Sequence, residues 1–158
     1  MAALRHEVDH LARLVASGLG SGYAPAAPGT AGSLVALILG AGLLRLSPAL
    51  LAVAVLLATV GGWWSVRKLR LDDDPGWVVV DEFAGQWIAM LALPRPSFAG
   101  LAGAFVLFRL LDITKPGPVG WADRHHSATG VMADDIIAGA IAAGLLWTVR
   151  SFWPGVLA

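Results

Sequence analysis

Apolar runs alternate with short polar punctuation along this chain. Residues 4–16 set Leu4, Val8, Leu11, Ala12 and Val15 on one helical face and Arg5, His6, Asp9 and Arg13 on the other. That spacing predicts an amphipathic helix lying on a bilayer or on the protein itself. From Gly18 to Ser33 the chain is crowded with Gly and Pro, which argues against a regular helix and for a shaped loop. Five apolar segments follow, near 31–46, 49–66, 82–93, 97–111 and 135–153. Several fall short of the ~20 residues that cross a bilayer squarely; less apolar flanks or local thinning of the bilayer make up such a deficit. The pattern predicts one all-α domain over residues 1–158, a compact multi-helix membrane bundle with an N-terminal amphipathic helix and about five apolar helices. The alternative is a soluble helical protein, which this sequence would leave with little polar surface to coat it.

Composition sharpens that choice. The chain is 57% hydrophobic and 14% charged, against about 25% charged in soluble domains. A net charge of +0 argues against nucleic-acid binding, which needs a basic face. The absence of cysteine excludes disulfides, thiolate nucleophiles and zinc–thiolate sites. Residues 1–17 contain Arg5, His6, Glu7, Asp9 and Arg13, so no cleavable apolar core is expected there.

Charge also orients the helices. With five spans and a cytoplasmic N-terminus, Arg5, Arg13, Arg67, Lys68, Arg70, Arg109, Lys115 and Arg124 lie in the cytoplasm, and Arg45, Arg95 and Arg150 lie opposite. Eight against three satisfies the positive-inside rule. The same topology gathers all eleven acids and the Gly/Pro loop on the cytoplasmic side. Trp63, Trp64, Trp121, Trp147 and Trp153 fall near expected interfaces, where indole rings settle.

The segregated acids are the candidate chemistry. Asp81-Glu82 opens the third apolar segment and Asp134-Asp135 the fifth, each pair followed by two residues or more and then Gly85 or Gly139. Capping a helix is one use of such acids. Four of them facing one another would instead need a cation between them, and hard oxygen ligands suit Mg²⁺. The small Gly85 and Gly139 would let two helices approach closely enough to join the pairs. Arg109, Asp112 and Lys115 share one helical face if the helix runs to Lys115 before Pro116. Two readings stand for them: an Arg109–Asp112 ion pair with a snorkelling lysine, or a metal-binding Asp112 beside an anion-binding cation. Thr30 and Ser33 either cradle a phosphate or belong to a membrane-entry turn. His125-His126 and His10 read as solvated or as catalytic histidines, the former more often in such loops.

In order along the chain stand Gly20-Ser21-Gly22 to Pro25, Ala27-Pro28-Gly29-Thr30 with Gly32-Ser33, Asp81-Glu82-Phe83-Ala84-Gly85, Phe108-Arg109 with Asp112 and Lys115-Pro116, Asp123-Arg124, and Asp134-Asp135 with Ala138-Gly139. This ordered set, spread over about residues 10–140, resembles the phosphatidylglycerophosphatase A family of bacterial lipid phosphatases. One departure is Ser127-Ala128-Thr129-Gly130, where the family has a Gly-rich turn. The resemblance implies Mg²⁺-dependent hydrolysis of phosphatidylglycerophosphate to phosphatidylglycerol and inorganic phosphate, by a multi-pass protein of the bacterial cytoplasmic membrane with its site on the cytoplasmic face. It implies Asp81, Glu82, Asp134 and Asp135 as catalytic metal ligands, with Asp112 as a candidate for another, and a carboxylate not committed to the metal as the base that deprotonates the attacking water. Arg109, Lys115 and Arg124 would clamp the phosphate, and Thr30 and Ser33 would add hydrogen bonds. The expected partners are that lipid and the bilayer; the sequence is compatible with an oligomer. Rival readings are a phosphatase of another lipid or soluble phosphomonoester, a transferase, and a non-enzymatic membrane protein. The chain lacks the Asp-Gly-Ala-Arg-Asp pattern of phospholipid synthases, an Asp-x-Asp nucleophile motif and a Ser-Gly-His block.

Overall fold

The computed structural model describes residues 2–71, 75–125 and 127–157, with side chains from His6 onward. Among these residues the chain is all helical: α1 (Ala2–Ala16), α2 (Pro28–Leu46), α3 (Pro48–Leu69), α4 (Val80–Met90), α5 (Phe98–Thr114), α6 (Pro118–Asp123) and α7 (Ala128–Phe152), with a single 3₁₀ turn at Ser21–Tyr23. His126 lies outside the described residues.

Local sequence explains the helix starts. Ser47, Ser97 and Ser127 cap α3, α5 and α7, each hydroxyl accepting from a backbone N–H of the first turn, at Ala49, Gly100 and Gly130. α2 begins at Pro28 rather than near residue 31, because proline is well suited to a first helical position where its missing N–H costs nothing. The shaped loop therefore ends at Ala27, and Thr30 and Ser33 are helical. α7 begins at Ala128, seven residues before the 135 expected, so the acidic pair is not at its start.

α2, α3 and α7 are long and apolar enough to cross a membrane. The apolar stretches near 82–93 and 97–111 form α4 and α5, of 11 and 17 residues. α4 is the hub: it packs against α2, α3, α5 and α7 and buries Val80, Phe83, Ala84, Ala89 and Met90. Its crossing with α7 depends on two glycines. A Cβ on Gly139 would lie 2.3 Å from the Gly85 carbonyl oxygen, and one on Gly85 would lie 2.6 Å from that of Asp135. The expected Gly85–Gly139 approach is thus observed. On its other flank α4 is tied to α2, where the Trp87 indole donates to the Ala36 carbonyl at 2.7 Å.

Outside this core, the bundle shows apolar side chains to its surroundings. Leu34, Ile38, Leu50, Val53, Leu56 and Val60 are exposed on α2 and α3. Polar side chains instead collect where α2, α4 and α7 begin and α5 ends. At the opposite end, Arg150 of α7 donates to the Ala92 carbonyl and Ser97 to that of Leu157, which closes the bundle beside the α4–α5 turn.

A candidate metal and phosphate site

The polar end holds an open pocket of about 300 Å³ lined by Pro28, Gly29, Gly76, Val78, Asp81, Glu82, Arg109, Asp112, Ile113, Lys115, Asp134 and Asp135. Five of these are acids and two are cations. Charges so little compensated are costly to hold near an apolar interior, so the pocket has a deficit that a cation would fill.

Asp81 and Glu82 are the second and third residues of α4, whose cap, Val79, makes no side-chain bond. Neither acid is the N-cap, although both gain from the helix dipole. Asp134 and Asp135 are the seventh and eighth residues of α7, after Ser127 has already capped it. Capping therefore does not explain the second pair. Asp81, Glu82 and Asp135 each place one carboxylate oxygen within 4.8 Å of the others. Asp81 and Asp135 are buried, and Oε2 of the half-buried Glu82 is buried without a hydrogen-bond partner. Short acidic side chains so arranged fit a hard divalent cation.

The two cations divide the rest of the pocket. Arg109 lies 3.7 Å from Glu82 and 2.5 Å from Asp112. Its guanidinium also donates to Ser33 at 3.4 Å and Thr30 at 3.5 Å, on the first turns of α2. Ser33 is fully buried and donates to the Gly29 carbonyl, so these hydroxyls hold the arginine. Gly29 is needed beneath this cluster: a Cβ there would sit 2.2 Å from Glu82 Oε1 and 3.3 Å from Arg109 Nη1.

Lys115 does not extend the α5 face. The helix ends at Thr114, because a residue before proline is disfavoured in the right-handed helical region, and Lys115 closes it as a left-handed C-cap (φ 45°) ahead of Pro116. Its ammonium reaches Asp134 at 2.9 Å and also pairs with Asp123, the last residue of α6. Burial alone would lower its pKa, but these two carboxylates outweigh burial and raise it above the usual lysine range. Lys115 therefore stays cationic throughout the physiological pH range.

The sequence-predicted residues thus separate into groups. Asp81, Glu82 and Asp135 form the tight carboxylate trio, and Asp134 faces Lys115 instead. Asp112, Arg109, Thr30 and Ser33 form a second cluster beside it. Arg124 is exposed at the end of α6 and does not line the pocket. His125 is exposed and engages Trp121, and His10 lies with His6, Asp9 and Arg13 on α1. Gly29, Gly76 and Val78 were not singled out from the sequence. Gly29 was visible within the Pro28-Gly29-Thr30 block, but its role emerges only when Glu82 and Arg109 arrive from distant helices.

The model of the phosphatidylglycerophosphatase A family matches residues 14–150. The chain belongs to this family. It is 41% identical to the phosphatidylglycerophosphatase A of Escherichia coli K12 over 149 residues, covering 91% of this chain and 87% of the relative. The phosphatidylglycerophosphatase A of Haemophilus influenzae is 36% identical over 145 residues, with 89% and 88% covered. A putative phosphatidylinositol-3-phosphatase of Bacteroides thetaiotaomicron is 42% identical over 146 residues, with 87% and 92% covered. No solved structure matches the chain significantly. The family match covers every residue that lines the pocket.

Proposed function

We propose that this protein is a membrane-bound phosphatase that hydrolyses phosphatidylglycerophosphate to phosphatidylglycerol and inorganic phosphate with Mg²⁺ as cofactor. The approach of Asp81, Glu82 and Asp135 to within 4.8 Å, beside Arg109 and Lys115, carries the reading within the family assignment. The three-carboxylate group would hold the ion. When bound there, the ion supplies a Lewis acid that offsets charge on the phosphoryl oxygens.

The protein's own groups do the rest. Arg109 and Lys115 take the phosphomonoester oxygens, giving up part of their contact with Asp112 and Asp134. Lys115 retains Asp123 as a second partner, whereas Asp112 loses its arginine. Asp112, a pocket carboxylate outside the trio and now free of its arginine, accepts the proton of the attacking water. The water oxygen bonds to phosphorus, the bond from phosphorus to the glycerol oxygen breaks, that oxygen takes a proton from solvent water, and Asp112 returns its proton to solvent. Asp134 keeps Lys115 aimed at the phosphate. Arg124, outside the pocket, has no part in this scheme.

The same reading places the protein in the bacterial cytoplasmic membrane, with α4 and α5 completing a multi-pass bundle and the pocket on the cytoplasmic side. The eight-to-three distribution of basic residues supports that orientation. Acyl chains then remain in the bilayer while the head group enters at the polar end.

Phosphate release from a panel of phosphorylated lipids in detergent, with Mg²⁺ and with a chelator, tests the assignment. Phosphatidylinositol 3-phosphate belongs in the panel because one relative carries that lipid in its name. The expected result is Mg²⁺-dependent release from phosphatidylglycerophosphate above all others. Preference for another lipid would replace the substrate, and release undiminished by the chelator would remove the metal.

A further inference from the structure

Gln86 is completely buried, and neither its amide oxygen nor its amide nitrogen has a hydrogen-bond partner. Only two other described residues have such orphaned, buried side-chain atoms: Glu82, at Oε2, and Arg109, at Nε. Buried polar groups are nearly always paired, because an orphan retains the full cost of its desolvation. Three together in one small protein call for a common explanation.

Helix phase puts them in one seam. Gly85 faces α5 and α7, against Phe108 and the Asp135 carbonyl. Trp87 faces α2, bonding to Ala36. Gln86 lies between these directions, towards the gap between α2 and α5. Glu82 occupies that gap one turn earlier, over Gly29 of α2 and beside Arg109 of α5. Residues four apart stack on one helical face, and side chains lean towards the N-terminus of their helix. The Gln86 amide therefore leans towards Glu82. The chemistry also matches: Glu82 Oε2 lacks a donor, Arg109 Nε lacks an acceptor, and an amide offers one of each.

We propose that Gln86 is a positioning residue for the carboxylate trio, its amide joined to Glu82 Oε2 and Arg109 Nε through one bridging water, which would accept from Arg109 Nε and the amide nitrogen and donate to Glu82 Oε2 and the amide oxygen. The inference rests on the metal site proposed above. Held in this way, the Glu82 carboxylate keeps its place beside Asp81 and Asp135, and Arg109 keeps its two terminal nitrogens on Ser33, Thr30 and the pocket acids. Supporting hydrogen bonds of this kind commonly change metal affinity by about 10–100-fold when removed.

Titration of purified wild type and Gln86→Leu in detergent with Mg²⁺ alone, by calorimetry, provides the test. Melting temperature in chelator is measured beside it. Leucine fills nearly the same space without polar atoms, so the metal-free melting temperature should hold or rise while Mg²⁺ binds roughly 10-fold more weakly. The Mg²⁺ concentration for half-maximal phosphate release should rise by the same factor, with kcat at saturating Mg²⁺ little changed. Unaltered Mg²⁺ affinity would overturn the proposal, as would weaker binding found only with a lowered melting temperature. If the leucine variant does not fold, Gln86→Met, flexible and without an N–H donor, is read by the same criteria. A wild type that binds no Mg²⁺ at all would instead defeat the metal site itself, which separates the two failures.

Discussion

Asp81-Glu82 and Asp134-Asp135 read alike in the chain, yet they occupy different local settings. The first pair sits in the opening turn of an 11-residue helix, where unpaired N–H groups favour negative charge. The second sits two turns inside a 25-residue helix, where the backbone groups are already bonded to one another. Both members of the first pair join the carboxylate trio, whereas the second pair divides. Asp135 turns inward to the trio and Asp134 turns to Lys115. Successive helical residues differ in direction by about 100°, so a pair inside a helix addresses two neighbours, not one. The comparison teaches that two acids in tandem can supply one ligand and one anchor for a cation.

Exchanging one member of the second pair at a time would break this comparison most directly. Asp135→Asn should lower Mg²⁺-dependent phosphate release by on the order of 10²–10³, the usual scale for losing a pre-organised electrostatic contact. Asp134→Asn can still accept from Lys115 and should cost only about tenfold, within the range of supporting contacts. The metal-free melting temperature of Asp135→Asn should not fall, because one of several crowded like charges has gone. Equal losses of activity in the two variants would restore the four-carboxylate ligand set expected from sequence.

The next largest effect concerns how the pairs are brought together. Gly139→Val would drive a branched side chain against the Gly85 backbone, where even a Cβ would lie 2.3 Å from the carbonyl oxygen. Backbone cannot swing aside as a side chain can, so a loss of about 1–3 kcal/mol or more is expected. Melting temperature and phosphate release should fall together. Activity lost at an unchanged melting temperature would show that Gly139 acts on the site otherwise than through the α4–α7 crossing.

Much of this arrangement was legible in the chain. The helical class, the break between the apolar segments near 31–46 and 49–66, and the Gly85–Gly139 approach follow from periodicity and small-residue spacing. The division within the second pair was not legible, because it depends on rotation of α7 about its axis, which many contacts settle jointly. The start of α7 was misplaced for a more local reason: Ser127-Ala128-Thr129-Gly130 reads as loop by composition, although Ser127 is a good N-cap. Lys115 differs from expectation by a single residue at a helix end. That residue adopts the left-handed conformation, and so the whole side chain is redirected from the Arg109 face to Asp123 and Asp134. Gln86 stood in view within Asp81-Glu82-Phe83-Ala84-Gly85-Gln86, but only three-dimensional burial exposes its lack of partners.

The smallest effect separates capping from catalysis. Ser127 accepts from Gly130 N at 3.1 Å and is the cap that the acidic pair would have been had α7 begun near residue 135. Ser127→Ala should cost about 1 kcal/mol of stability, seen as a modest drop in melting temperature, while the Mg²⁺ dependence of phosphate release stays put. Asp135→Asn should do the reverse, sharply lowering phosphate release without loosening the fold. If Ser127→Ala instead raised the Mg²⁺ requirement, the start of α7 would be coupled to the ligands two turns on. The cap would then help to set the rotation that points Asp135 inward and Asp134 towards its lysine.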